Sequence, residues 1–238
     1  SPLVVCTTHL LYNPARTDVR LAQVQLFLAE IDRFSFHTED GSTDPPQYLP
    51  VILTGDFNSL PISPVVRLVT EGKVYSNHFG SGLKNIAVTD SCQHLGVYLQ
   101  RIKGKNLKET SFLFHSEKEI VVKDSDEENE LEEISNTYKK LFNKGCLQHN
   151  MEFKSVYDFI KSDDQYEAST HQDEWVTVDY IFYNPGNVSK LELCERYRLP
   201  TVDECISMGA IPNDLFGSDH FSLAAGFTLL PNLPQSSM

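Results

Sequence analysis

The first quarter of the chain alternates between short apolar segments and an amphipathic pattern. Residues Leu3 to His9 are apolar or β-branched up to a terminal histidine, which predicts a buried strand. From Thr17 to Phe34 apolar residues recur at spacings of three and four, which predicts a helix with one buried face. The residues of that face are Leu21, Val24, Leu28 and Ile31. A second buried strand is predicted at Val51 to Thr54, so this region is typical of a layered α/β fold.

Local start and stop signals predict the later elements. Ser63 and Pro64 begin a short helix that ends at Glu71, because Gly72 follows it. Residues Trp175 to Tyr183 form the clearest strand pattern of the chain. The remaining predictions are a loop over His37 to Pro50, a partner strand at Val188 to Cys194, a helix over Val202 to Met208 capped by Thr201, and a last strand at Phe221 to Leu230. Together they predict an α/β or α+β layered fold.

The middle of the chain is strongly acidic. The formal net charge is −13, and residues Glu117 to Glu133 hold nine acids and two bases. We interpret residues 115–150 as a flexible, solvated insert, with one helix over Glu130 to Phe142. A phosphorylated, partner-binding segment centred on Ser125 is the alternative. Without this block the body of the protein is only mildly acidic, so RNA binding is not excluded.

Cysteine usage and hydropathy limit the protein class. The five cysteines are an odd number, widely spaced and without a C-x-x-C motif, so a disulfide framework or zinc site is not expected. Reduced thiols indicate a cytoplasmic or nuclear protein. No apolar run reaches the eighteen residues that a membrane-spanning helix needs, and no membrane partner is expected.

Four segments place polar, titratable side chains in or at the ends of apolar strands. They are Thr7-Thr8-His9, Gly55-Asp56-Phe57-Asn58, Thr177-Val178-Asp179-Tyr180 and Gly217-Ser218-Asp219-His220. Asp56 and Asn58, at i and i+2 on an extended chain, would point to one side and offer the oxygen ligands that Mg²⁺ prefers. The alternative is an Asx-type turn that leads to Pro61.

Asp179 interrupts an otherwise apolar strand. A buried carboxylate is costly unless it is paired or bound to a metal, and a histidine is its natural partner. His220 is the obvious candidate, because it follows a Gly-Ser turn just before another strand. The alternative is that Asp179 and His220 form a purely structural pair. For His9 too, the alternative is a structural role.

The four segments, in this order, resemble the exonuclease–endonuclease–phosphatase superfamily. The phrases Thr7-Thr8-His9-Leu10-Leu11-Tyr12-Asn13-Pro14 and Asp18-Val19-Arg20-Leu21-Ala22-Gln23 are similar to the Angel-homolog branch, close to Nocturnin and the cytoplasmic deadenylases. The resemblance covers about residues 1–35, 50–72 and 153–230 and implies a four-layer α/β sandwich. It also implies hydrolysis of RNA phosphoesters that depends on Mg²⁺, with Mn²⁺ as an alternative.

The resemblance also implies a role for each site residue. His9 and His220 would contact the scissile phosphate, while Asp56 and Asn58 would hold metal and the attacking water. Asp179 would orient His220, and Asp219 would lie beside metal. The family's principal metal-binding Glu comes from strands upstream of the Thr-x-His motif, and no such residue precedes His9 here. We therefore expect residues 1–230 to be the C-terminal part of the domain and residues 231–238 to be a tail.

Three functions follow from these expectations. The first is a Mg²⁺-dependent phosphoesterase at RNA 3′ ends, either removing 2′,3′-cyclic phosphates, which the Angel-type phrases favour, or acting as a 3′-to-5′ exoribonuclease on poly(A). The second is a non-catalytic fragment that binds RNA or a translation or mRNA-decay factor. A lipid or inositol phosphatase of the same superfamily is third, and the phrase Asp56-Phe57-Asn58-Ser59-Leu60-Pro61 favours the RNA branch over it.

Overall fold

A computed structural model describes residues 2–37, 47–75, 92, 146–157 and 165–231 of the chain. The order of the strands and helices, with their bounds, is β1 (Val4–His9), α1 (Thr17–Ser35), β2 (Phe36–His37), β3 (Gln47–Tyr48), β4 (Val51–Asp56), α2 (Pro64–Glu71), β5 (Lys73–Tyr75), β6 (Cys146–Gln148), β7 (Lys154–Ser155), β8 (Thr170–Gln172), β9 (Glu174–Val176), β10 (Asp179–Asn184), β11 (Ser189–Arg196), α3 (Val202–Met208) and β12 (Ala225–Pro231).

A four-stranded sheet in the order β1-β4-β10-β7 is the centre of the fold. β1 and β4 are parallel, and the connection between them contains α1. β10 runs antiparallel to both β4 and β7. The predicted strand–helix–strand unit is therefore present, and it places the C-terminal residues of β1 and β4 side by side at one end of the sheet.

Helices α1 and α2 cover one face of this sheet. The predicted apolar face of α1 is buried, and it packs with α2 against residues such as Leu53 and Phe182 of the sheet. The ends of α2 are as predicted: Ser63 Oγ accepts a hydrogen bond from Val66 N, and Gly72 ends the helix in a left-handed conformation with φ of 74°. Local sequence signals determine both ends, because Ser satisfies a free amide and Gly tolerates positive φ.

The opposite face of the central sheet packs against a second sheet, formed by β11 and β12. Ile52 and Ile181 of the central sheet contact a cluster that includes Leu193 and Phe227 of the second sheet. The described residues thus form three successive layers, namely helices, sheet and sheet. This arrangement confirms the predicted α/β class.

Three predicted strands differ from the structure. The segment from Trp175 to Tyr183 forms two strands, β9 and β10, because Thr177 Oγ1 donates to Glu167 O and the amides of 178 and 179 bond to Ser169 Oγ instead of continuing a ladder. β11 pairs with β12 and not with β10. The last strand begins at Ala225 rather than Phe221 and extends to Pro231, the first residue of the predicted tail.

Other predictions change at their boundaries. β1, which was predicted to be buried, is half-buried on one face and exposed on the other, and Val5 is 66% exposed. The predicted loop over His37 to Pro50 begins and ends in the short strands β2 and β3. Cys146 and Leu147, near the end of the predicted insert, are buried in β6. The rest of the insert, its helix and Ser125 lie outside the described residues.

The helix predicted after Thr201 is present with its cap. Thr201 Oγ1 accepts from Glu204 N, and the Glu204 carboxylate accepts from Thr201 N. All five cysteines are unpaired, as expected for reduced thiols. Within the described ranges, no helix combines the length and apolarity that crossing a bilayer requires.

Candidate active site

Predicted site residues from three strands meet at one end of the central sheet. His9 lies opposite Asp56 in the parallel pair β1–β4, and Asp56 lies opposite Asp179 in the antiparallel pair β4–β10. Side chains alternate between the faces of a sheet, so these three lie on the face that Ile52 and Ile181 turn toward the second sheet. Register alone therefore places one histidine and two carboxylates in a single row.

His220 joins this row from the loop before β12. Its Nδ1 atom lies 2.8 Å from Asp179 Oδ2, so the predicted Asp179–His220 pair is present. A backbone bridge between Thr170 and His220 holds the loop against β8, and Thr170 Oγ1 donates to Asp219 O at 2.7 Å. Thr170 thus holds the loop at Asp219 and His220.

The surroundings of His220 favour its protonated form. Partial burial opposes protonation, but the hydrogen bond and charge of Asp179 outweigh that effect, and the charges of Asp56 and Asp219 add to it. The net result is that the pKa of His220 is raised above its ordinary value of 6.5. An imidazolium at this position can offset the negative charge of a phosphate.

Ser169, which the sequence analysis did not single out, fixes the Asp179 carboxylate. Ser169 is fully buried, and its Oγ accepts from Val178 N at 3.0 Å and Asp179 N at 3.2 Å while it donates to Asp179 Oδ2 at 2.7 Å. Asp179 Oδ2 therefore accepts from both Ser169 and His220. No sequence signal distinguishes Ser169 from other serines, since its role depends on contacts made ten residues away.

Asp56 and Asn58 form a turn rather than a continuous extended segment. Asp56 ends β4, and its Oδ1 accepts from Asn58 N at 2.7 Å, which is the Asx-type turn weighed as an alternative. Asn58 adopts a φ of 46°, and its Nδ2 donates to Leu10 O at 2.9 Å. The side-chain nitrogen of Asn58 is thereby bonded to the backbone of the neighbouring loop. The other polar atom of this side chain is Oδ1.

Burial is the main influence on the Asp56 carboxyl group. It raises the pKa of Asp56 above the usual value, and the charge of Asp179 adds to this, although the hydrogen bond from Asn58 N and the nearby His220 and His9 oppose it. His9 is the exposed member of the row, and its Nε2 lies 3.4 Å from Asp56 Oδ2. Two facing carboxylates in a half-buried site create a local excess of negative charge.

One group of donor atoms has the spacing of a cation site. Ligand atoms of Asp56, Asp179 and His220 lie within 4.8 Å of one another. Asp219, predicted to lie beside metal, is not in this group: its side chain is 60% exposed, with a carboxylate oxygen 4.0 Å from His220 Nε2. The geometry thus places Asp179, rather than Asp219, next to Asp56.

The chain is similar along almost its whole length to one group of proteins, although no family model matches it. It is 32% identical to human protein angel homolog 2 over 95% of this chain and 44% of the relative, and 30% identical to Drosophila melanogaster protein angel over 95% of this chain and 42% of the relative. A crystal structure of ANGEL2, a 2′,3′-cyclic phosphatase, in complex with adenosine-2′,3′-vanadate matches with a TM-score of 0.59 and 28% identity, over 96% of this chain and 57% of that chain.

The Angel proteins are thus homologues of this chain. This confirms the resemblance to the Angel-homolog branch of the exonuclease–endonuclease–phosphatase superfamily that the ordered motifs predict. The chain spans less than half the length of the relatives named above.

Two clefts border the site, and they share no lining residue. The first, here called the Asn58 cleft, is lined by Tyr12, Asn58, Asp173, Glu174 and Val178 among others. The second, here called the His220 cleft, has a volume of about 540 Å³ and is lined by Tyr197, Arg198, Leu199, Phe216, His220 and Phe221 among others. Of the predicted site residues, the Asn58 cleft is lined by Asn58 and the His220 cleft by His220.

Proposed function

We propose that the protein is a phosphoesterase that acts on RNA 3′ ends and removes 2′,3′-cyclic phosphates. The observation that supports this most strongly is the row of His9, Asp56, Asp179 and His220, formed in a chain that matches the ANGEL2 structure over 96% of its length. Hydrolysis of a cyclic phosphate adds water to phosphorus and breaks one phosphorus–oxygen bond to the ribose. A second hydrolysis releases inorganic phosphate and leaves a diol.

The two histidines suit a phosphoryl transition state. His220 is oriented by Asp179, and its raised pKa favours the imidazolium, which can donate to a phosphoryl oxygen from Nε2. His9 is exposed on the other side of Asp56 and offers a second donor to the same place. A phosphate between the two imidazoles would be neutralised from both ends of the row.

A divalent cation fits the donors in this row, and we propose Mg²⁺, with Mn²⁺ as the alternative. The chemistry of the donor atoms suits a cation. Asp56 and Asp179 are partly buried, lie opposite each other in the sheet and concentrate negative charge, which a cation would compensate. Asp56 with Asn58 Oδ1 would hold it, while Asp179 Oδ2 is already engaged by Ser169 and His220. Such a cation supplies Lewis-acid polarisation of the phosphoryl group.

One assay separates the two RNA chemistries. The full-length protein is incubated with two RNAs of identical body, one ending in a 2′,3′-cyclic phosphate and one in an oligo(A) tail with a free 3′ hydroxyl. We expect the cyclic phosphate to be removed without shortening of the RNA, and the oligo(A) tail to persist. Shortening of the tail with an intact cyclic phosphate would assign the exonuclease activity instead.

The same assay distinguishes an enzyme from a non-catalytic binding fragment. If the protein shifts both RNAs in a gel but hydrolyses neither in the presence of Mg²⁺ or Mn²⁺, the catalytic proposal is wrong and the protein is a non-catalytic RNA-binding fragment. Asp56→Asn is the matched variant, because it removes one negative charge while it keeps an oxygen that can accept from Asn58 N. We expect it to retain RNA binding and lose hydrolysis.

A further inference from the structure

Arg20 is a buried cation of α1, and its guanidinium group binds the loop that follows β1. The residue is only 5% exposed. Its acceptors among the described residues are neutral oxygens, whereas the nearby Asp18 carboxylate pairs with Arg16. A buried charge without an ionic partner is costly, and the rigid fork of guanidinium donors offsets part of this cost by binding several oxygens at once. The four acceptors are Leu11 O at 3.2 Å, Asn13 O at 2.6 Å, Pro14 O at 3.3 Å and Thr17 Oγ1 at 3.1 Å.

The loop depends on α1 because it is exposed. Residues 11–16 all lie at the surface, so they gain little stability from packing. Arg20 donates to the carbonyl oxygen of Leu11, and Gln23 Oε1 accepts from Leu11 N at 3.1 Å. Both backbone polar groups of Leu11 are therefore bonded to side chains of one helix.

The peptide unit that Gln23 binds also contacts Asn58. Leu10 O accepts from Asn58 Nδ2 at 2.9 Å, and Leu10 O and Leu11 N belong to one planar peptide. The hydrogen bond at Nδ2 also limits where Oδ1 can lie, because both atoms belong to one amide group. A continuous series of contacts thus connects α1 to Asn58 through the loop, and Arg20 and Asn58 both line the Asn58 cleft.

We infer that Arg20 is a positioning residue, which holds the loop after β1 so that Asn58 keeps Oδ1 available to the cation that Asp56 would bind. Arg20 acts through the loop and not by contact with the reacting groups. The inference rests on the proposed function, because that function supplies the cation. Residues that orient a metal ligand typically contribute about tenfold or more to metal affinity, so loss of Arg20 should weaken cation binding to this extent.

The direction of the effect distinguishes positioning from charge. Arg20→Gln removes a positive charge, and Coulomb's law alone then predicts tighter binding of a cation. Positioning predicts weaker binding, because the loop loses its guanidinium contacts. Arg20→Lys keeps the charge but lacks the fork that reaches several acceptors, so its affinity should lie between those of the wild type and Arg20→Gln.

Titration of the full-length protein with Mn²⁺, with free Mn²⁺ followed by electron paramagnetic resonance, measures the dissociation constant and the number of sites without turnover. Gln23 is exposed, so Gln23→Ala should fold, and we expect it to weaken binding by about threefold. Arg33→Gln is the control on the same helix, because Arg33 lies in the last turn and pairs with Glu30. Its affinity should stay within about twofold of the wild type. Arg20→Gln is also measured with Asn58→Gly, since glycine accommodates the φ of 46° at that position.

We expect Arg20→Gln to raise the Mn²⁺ dissociation constant about tenfold with an unchanged number of sites, and to have no further effect in the Asn58→Gly protein. The inference is overturned if Arg20→Gln binds Mn²⁺ as tightly as the wild type or more tightly, or if the loss is equal with Asn58→Gly. It is also overturned if only the number of sites falls, as partial unfolding would cause, or if the wild type binds no Mn²⁺. A protein that shows the expected binding pattern but leaves cyclic phosphate intact would reject the proposed function and leave the role of Arg20 standing.

Discussion

Asp56 and Asp179 lie directly opposite each other on the antiparallel strands β4 and β10, with carboxylate oxygens within 4.8 Å. Like charges in directly opposite positions destabilise a sheet. Each aspartate has compensating partners, since Asp56 accepts from Asn58 N and Asp179 from Ser169 and His220. A bound cation would offset the repulsion that remains between the two carboxylates.

This relationship predicts that Asp56→Asn stabilises the protein when divalent cations are absent. The change removes a partly buried charge and its repulsion with Asp179, which is worth on the order of 1 kcal/mol. In EDTA the melting temperature should rise by roughly 2–4 °C. Mg²⁺ should raise the melting temperature of the wild type but not of the variant. A variant that melts lower than the wild type in EDTA, or gains equally from Mg²⁺, would contradict the cation site.

The stability that His220 contributes to the metal-free protein should fall as pH rises past 6.5. The pKa of His220 is raised in the folded state, so its contribution is fully present below the unfolded value of 6.5 and is lost as pH rises through the folded value. Denaturant unfolding in EDTA between pH 6 and roughly 8 measures this slope. His220→Gln should remove this downward contribution and so shift the slope in the positive direction, whereas His37→Gln on β2 is the matched histidine control. An unchanged slope in His220→Gln would show that another group is responsible.

Ser169 should matter for stability far more than an equally buried serine. Ser169→Ala removes three hydrogen bonds and leaves Val178 N without its acceptor, at a cost of about 1–3 kcal/mol. Ser189 is also fully buried, and within the described part of the chain its Oγ has no hydrogen-bond partner. Ser189→Ala is therefore the matched control, expected within about 0.5 kcal/mol of the wild type. Equal losses in chemical denaturation would contradict the role given to Ser169.

Gly55, next to Asp56, should not tolerate a side chain. Its φ is 140°, and an added Cβ would lie 1.8 Å from Thr8 O in the neighbouring strand. We expect Gly55→Ala to cost more than about 3 kcal/mol, because β1 would have to separate from β4. An added Cβ at Gly217 would meet no atom within 4 Å, so Gly217→Ala is the control and should keep wild-type stability. Similar melting temperatures for both variants would show that the β1–β4 contact is looser than described.

Helix ends were predictable because their causes are local. The caps of α2 and α3 each depend on residues within four positions, so Ser63, Gly72 and Thr201 identify them directly. Strand pairing is different, since the break between β9 and β10 depends on hydrogen bonds that Thr177 and Val178 donate to Glu167 O and Ser169 Oγ, ten and nine residues earlier. No periodicity in the sequence reports such contacts.

The site was predictable to the extent that its residues lie in or at the ends of apolar strands. His9, Asp56, Asp179 and His220 were each identified from that position, and the structure brings them together. The positive φ of Asn58 was not predictable, because it depends on the contact of this residue with Leu10 O, 48 positions away. The exposure of Asp219 likewise depends on how the loop lies against β8.

Asp179 and His220 should act as one unit in phosphoester hydrolysis, and a double-mutant cycle on the rate of 2′,3′-cyclic phosphate removal measures their coupling. Asp179→Asn and His220→Gln are measured singly and together in the full-length protein. We predict that each single variant loses at least about 10²-fold in rate and that the double variant loses little more than either. Losses that add on the logarithmic scale, or single variants within a few-fold of the wild type, would contradict the account.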